Sequence, residues 1–205
     1  MTEETQTDKK TGLSETTNEL ADNPTFRERA FPHPLHLGNM TRYAQLPDHI
    51  RDALQRIPST DGGYIVYYPC RVTLRSGPVL DTVYIEPEKP YLRAWGVYPE
   101  DDKAKQWVRI EDILTVEDSP TRLPARFANE IYRAGESGMG YTIFTVVFAD
   151  GERQAYSTGN AVDFIRYPEG KGPGDVVAVE PHEGRENRPV PNPQWYWSLY
   201  SESES

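Results

Sequence analysis

The chain has one cysteine, Cys70, so no internal disulfide can staple it. Histidine is nearly as scarce, with four in all. His33-x-x-His36 has a spacing that metal sites use, but zinc needs three or four ligands and His49 and His182 each stand alone. No metal site is expected. No apolar run approaches the length that crosses a bilayer. The opening stretch, MTEETQTDKKTGLSETTNEL, lacks the apolar core of a signal peptide. The chain therefore reads as soluble and cytoplasmic, in a bacterial style. Lysine and arginine form no run, which argues against a nucleic-acid footprint. A Walker lysine-serine pair and a G-x-S-x-G element are both absent. The loop Gly135–Gly140 is rich in glycine, but it leads from an expected helix into an expected strand, whereas phosphate loops run from strand to helix. No cofactor is implied. Cys70, after Pro69 at a strand junction, reads as a small buried hydrophobe. The acid pairs Asp101-Asp102 and Glu117-Asp118 would point to opposite faces of a strand. No residue is assigned a catalytic role.

The chain carries a net charge of -10, but much of it falls outside the expected core. Residues 1–26 hold six acids and two lysines, and residues 186–205 hold three acids and one arginine. Such segments bury too little apolar surface to offset their ordering entropy. Four units are expected: a disordered acidic tail, 1–26; a helix and first β unit, 27–120; a linking helix and second β unit, 121–185; and a proline-rich, aromatic, acidic tail, 186–205. Within the second, Phe31–Leu37 is punctuated by prolines and reads as an extended strip.

The strongest structural signal is Tyr141–Thr158. Tyr141 to Phe148 are aromatic, β-branched or threonine, types that suit a pleated surface. Asp150-Gly151 matches a type I′ hairpin turn, and Arg153–Thr158 returns from it. Phe144, Val146 and Phe148 lie on one face and Ile143 and Val147 on the other, so this strand should be central. Elsewhere the spacing predicts helices over Leu46–Ile57 and Thr121–Ala134. Strands are expected at Tyr64–Tyr68, Arg71–Leu74, Val79–Glu86, Tyr91–Trp95, Trp107–Ile110, Leu114–Glu117, Ala161–Tyr167 and Val176–Val179.

The β segments echo one another. RVTLRSGPVLDTVYIEP, followed later by IEDILTVEDS, parallels TVVFADGERQAYSTGNAVDFIRYP, followed by PGDVVAVEPH. Val72, Leu74 and Gly77 align with Val146, Phe148 and Gly151, and Asp112-Ile113-x-x-Val116-Glu117 aligns with Asp175-Val176-x-x-Val179-Glu180. The order strand, glycine turn, strand, strand, loop, short turn and closing strand resembles the SH3-like and Sm-like small barrels. The resemblance implies a mainly β, β-rich α+β fold. Two SH3-like β-meander units would pack together with two short helices and disordered tails.

Aromatic residues are the candidates for recognition. Thirteen tyrosines and four tryptophans combine apolar bodies with polar tips and suit binding surfaces. The expected binding residues are Tyr91, Trp95, Tyr98 and Trp107, where the two copies differ, and Trp195, Tyr196 and Trp197 near the end. The favoured function is a non-catalytic protein-binding module, in one version an immunity or inhibitor protein that masks a basic partner through charge. A small barrel stacking RNA or single-stranded DNA on aromatics is the first alternative, set back by the mild acidity of residues 27–185. An enzyme with a scattered site, for instance Asp163, Arg166 and His182, is the other.

Overall fold

The structure, a computed structural model, describes residues 42–202. The expected tail 1–26, the strip Phe31–Leu37 and the pair His33 and His36 lie outside the described residues.

Helix α1, Asp48–Leu54, starts after Pro47, whose extended backbone caps it. It is shorter at both ends than its apolar stripe, although Leu46 and Ile57 are still buried. A small antiparallel pair follows, β1 (Thr60–Asp61) and β2 (Val66–Tyr67). Strands β3 (Pro69–Leu74) and β4 (Val79–Pro87) form the first hairpin. The next element corrects the expected strand Tyr91–Trp95. It is helix α2, Glu88–Trp95. Pro87 caps it, Pro90 sits in its first turn where no backbone donor is needed, and Gly96, at φ 71°, closes it by donating to Leu92 O. Strand β5, Gln106–Trp107, keeps only Trp107 of the expected Trp107–Ile110, and Ile110–Asp112 is a 3-10 turn leading into β6, Ile113–Asp118.

Helix α3, Ala125–Ala134, begins later than expected, with Pro124 as its cap. The residue before a proline disfavours helix, so Leu123 cannot join it. Strands β7 (Thr142–Phe148) and β8 (Arg153–Thr158) form the second hairpin, and a 3-10 turn at Pro173–Asp175 leads into β9, Val176–Pro181. The expected strand Ala161–Tyr167 is not a strand. Residues 161–165 are buried yet irregular, tied by one bridge, Arg122 to Phe164. The C-terminal stretch is not the expected tail either. It supplies β10, Val190–Pro191, and β11, Tyr196–Tyr200.

The sheets run β5-β11-β4-β3-β6 and β10-β8-β7-β9. Both are open, so the expected pair of small barrels is replaced by open sheets among the described residues. As expected, β7 is central, flanked by β8 and β9.

The echo between the halves holds in the strand register. Val72 pairs with Val116 as Val146 pairs with Val179, and Leu74 with Ile113 as Phe148 with Val176. In each copy the register slips one residue before the last pair. Both hairpin turns are also alike: Gly77 N–H donates to Leu74 O and Gly151 N–H to Phe148 O, each at 2.9 Å. Only the glycine of each turn takes a positive φ, 107° and 87°, so both are type I turns with a glycine bulge, and Asp150-Gly151 is not the expected type I′. Finally, β4 and β8 each gain a parallel neighbour from the C-terminal stretch, β11 and β10 respectively.

Three cores result. One lies between α1 and the first sheet, around Ile50, Val72, Val83 and Ile85. A second lies between α3 and the second sheet, around Phe127, Ile131, Val146 and Phe148. The third joins the halves and is dominated by aromatics: Tyr67, Tyr84, Tyr91, Phe164 and Trp197. Alternation along β4 explains this, because Val83 and Ile85 face the α1 core while Tyr84 faces the seam.

Candidate functional site: an aromatic cleft at the seam

The seam opens to the surface at a cavity of about 420 Å³. Tyr67 reaches it from β2, Trp95 from the last turn of α2, Tyr132 from α3 and Tyr64 from the turn between β1 and β2. Tyr67 and Tyr132 stack with ring centroids 5.7 Å apart. Tyr64 is 84% exposed. The remaining lining is small or apolar, apart from Thr142, Asn160 and the carboxylate of Glu136.

A buried polar network holds the cleft wall. Asp163, fully buried, accepts hydrogen bonds from Thr60 Oγ1 at 2.6 Å, Tyr132 Oη at 2.6 Å and Tyr84 Oη at 3.1 Å. These donors come from both halves of the chain, so the carboxyl ties them across the seam. Burial pushes the Asp163 carboxyl above its ordinary range, and the hydroxyls of Thr60 and Tyr132 act against that. The same burial pushes the Tyr84 and Tyr132 phenols well up. Tyr132 Oη also accepts the Val162 N–H at 3.1 Å, which gives the irregular segment 161–165 one of its few fixed points. The backbone of that segment is otherwise met by Leu123 N–H donating to Asp163 O and by Ile165 N–H donating to Thr121 O.

A second cavity, about 220 Å³, lies on the other side of Trp95 and is lined by Lys105, Gln106, Asn192, Gln194, Trp195 and Trp197. Here Lys105 Nζ stands 4.7 Å from the Trp95 ring centroid and 5.3 Å from that of Tyr91. Burial lowers the affinity of Lys105 for its proton, while Asp102 partly restores it. Trp95 thus separates two aromatic-walled spaces. Its indole N–H is buried and lies near the Tyr67 hydroxyl without reaching hydrogen-bond geometry.

The aromatics singled out from sequence fall into distinct places. Trp95 lines both cavities, and Trp195 and Trp197 line the second. Tyr91 and Trp197 are buried, packed edge to face at 5.0 Å, and form the floor beneath Trp95. Tyr98 is half-buried, donating to Glu88 at 3.0 Å beneath the Arg42 guanidinium. Trp107, 39% exposed on β5, does not line either cavity, and Tyr196 packs against the α1 core. Sequence reasoning left out Tyr64, Tyr67, Tyr132, Glu136 and Lys105. Tyr132 was the most legible of these. It sits one position past Ile131, off the apolar stripe of α3, where a large aromatic must face something else.

Among the described residues, no hydrogen bond or ion pair joins Asp163, Arg166 and His182, and they share no hydrogen-bond partner. Arg166 is exposed, and only its carbonyl is engaged, by Tyr156 Oη. His182 adopts φ 67°, with Nδ1 2.9 Å from Ser137 Oγ and Nε2 3.2 Å from Ala134 O. With the proton on Nε2, the ring donates to Ala134 O and accepts the Ser137 hydroxyl. This clamp fixes the loop that carries Glu136, whose Oε2 also accepts the Gly140 N–H at 3.0 Å. Among the described residues no group of three metal-ligating side chains converges, and no helix is long and apolar enough to cross a membrane.

Comparison with family models, with curated proteins and with solved structures finds no match.

Proposed function

We propose that this chain is a non-catalytic, cytoplasmic protein-binding module of the immunity or inhibitor type, and that its partner is basic. One observation carries this reading: an aromatic cleft at the seam whose single charged lining residue is a carboxylate, Glu136. Tyrosine and tryptophan give large contact area at low entropic cost and dominate recognition surfaces. The cleft stands on a floor of buried rings and on the three hydroxyl donors to Asp163, which preorganise it for binding. The net charge of -10 supports a basic partner through faster encounter at low salt. The order of strands, with a 3-10 turn before each closing strand, supports reading each half as an open relative of the SH3-like units, which serve as binding modules.

The test is capture of partners by the full chain from native lysate at low salt, beside the variant Tyr64→Ala. A stoichiometric basic protein retained by the native chain, released by salt and lost from the variant is the expected result. Capture of RNA alone, or of a protein that the variant holds equally well, overturns the reading.

A further inference from the structure

We propose that the cleft receives the guanidinium of an arginine side chain from the partner, held between tyrosine and tryptophan rings and facing Glu136. This rests on the protein-binding reading above and adds the chemistry of the group that enters. The first argument is the lining. Tyr64, Trp95 and Tyr132 present ring surface, the buried Tyr67 backs them, and Glu136 is the one carboxylate among the lining residues. Ring faces carry negative potential and attract cations within about 6 Å of the centroid.

The second argument comes from how this protein treats its other rings. Lys105 stands over Trp95 and Tyr91, Arg42 over Tyr98 at 4.1 Å, and Lys171 over Phe148 at 4.6 Å. The cavity on the far side of Trp95 therefore already holds its cation. Among the described residues, no lysine or arginine lines the 420 Å³ cavity, although four aromatic residues do. The third argument is the acid. Gly140 N–H fixes Glu136 Oε2, so the carboxylate is positioned in advance. Arginine suits this site better than lysine, because its planar cation stacks on rings and forks onto a carboxylate.

The experiment follows the indole N–H signals of the four tryptophans by NMR in the full chain, with the Trp95 signal assigned by its loss in Trp95→Phe. Nα-acetyl-arginine methylamide is titrated against the citrulline analogue, which has the same shape and no charge. The expected result is a saturable shift of the Trp95 signal with arginine and at least fivefold weaker binding of citrulline. Tyr64→Leu and Glu136→Gln, both changing exposed side chains, should each weaken the arginine response two- to tenfold, the range that a cation–π or charge contact of about 0.5–1.5 kcal/mol gives. Equal binding of citrulline, or an arginine response untouched by both variants, overturns the proposal. Capture of a partner through the cleft with no arginine response sinks the guanidinium and leaves the binding module. Arginine binding with no partner captured does the reverse.

Discussion

Among the described residues, two carboxyl groups are fully buried, and they are met differently. Asp163 has a hydroxyl donor from each of Thr60, Tyr84 and Tyr132. Glu86, also fully buried, accepts the Tyr68 N–H through Oε1, and among the described residues its Oε2 meets no donor. Burial pushes the Glu86 carboxyl well above its ordinary range, opposed by that one backbone hydrogen bond. The consequence has a definite sign. A carboxyl raised in the folded state keeps its proton there after the unfolded chain has lost it, so stability falls as pH rises from the ordinary carboxylate range to the raised value. In that window the native chain should lose about 1.4 kcal/mol per pH unit relative to Glu86→Gln. Urea unfolding of both proteins from pH 4 upward reads this directly; parallel stability curves would contradict it.

At the scale of elements, the duplicated hairpin turns depend on one glycine each. Gly77 and Gly151 sit at φ 107° and 87°, where a side chain strains the backbone by about 1–2 kcal/mol. Gly77→Ala and Gly151→Ala should therefore destabilise by similar amounts, of that order, in chemical denaturation. A large inequality would mean that the two turns are not equivalent. Much of the duplication was legible because strand register repeats with side-chain period two, and Val72 and Val146 carry that period into both copies. The turn type was not, since Asp-Gly fits a type I′ turn and a glycine bulge equally well until the φ of Asp150 is known. Helix α2 was misread because Tyr91 and Trp95 favour strands by composition, while the stronger punctuation, Pro87 before, Pro90 in the first turn and Gly96 after, marks a helix. Residues 161–165 show the opposite failure: a buried run and a strand look alike when only apolarity is counted. The cleft itself drew on Trp95 from the expected set, but its other walls come from β2, α3 and a turn, which no local pattern brings together.

Among the described residues, the third core belongs to neither half and ties the two together. Tyr84 from β4, Phe164 from the second unit and Trp197 from β11 meet within 5 Å, with centroids 4.6 Å apart for Tyr84–Phe164 and 4.9 Å for Tyr84–Trp197. Removing everything after Pro193 should abolish the near-ultraviolet circular dichroism and the single unfolding transition, since it uncovers this core and leaves β4 without its parallel neighbour. Trp197→Ala, a milder version, should cost about 3–5 kcal/mol. A truncated chain that still unfolds cooperatively would show that the halves stand alone.

The parallel seat of β11 also sets a clock on biosynthesis. Val83 on β4 pairs with Tyr196, a partner that follows it by 113 residues. At ordinary translation rates β4 waits on the order of 6–23 s for that partner to be made. Throughout that interval Tyr84 lacks both indoles that pack on it, Trp195 and Trp197, so the emerging first half exposes an aromatic surface. Synonymous changes that slow translation across α3 and β7 would lengthen the exposure without altering a single atom of the finished protein.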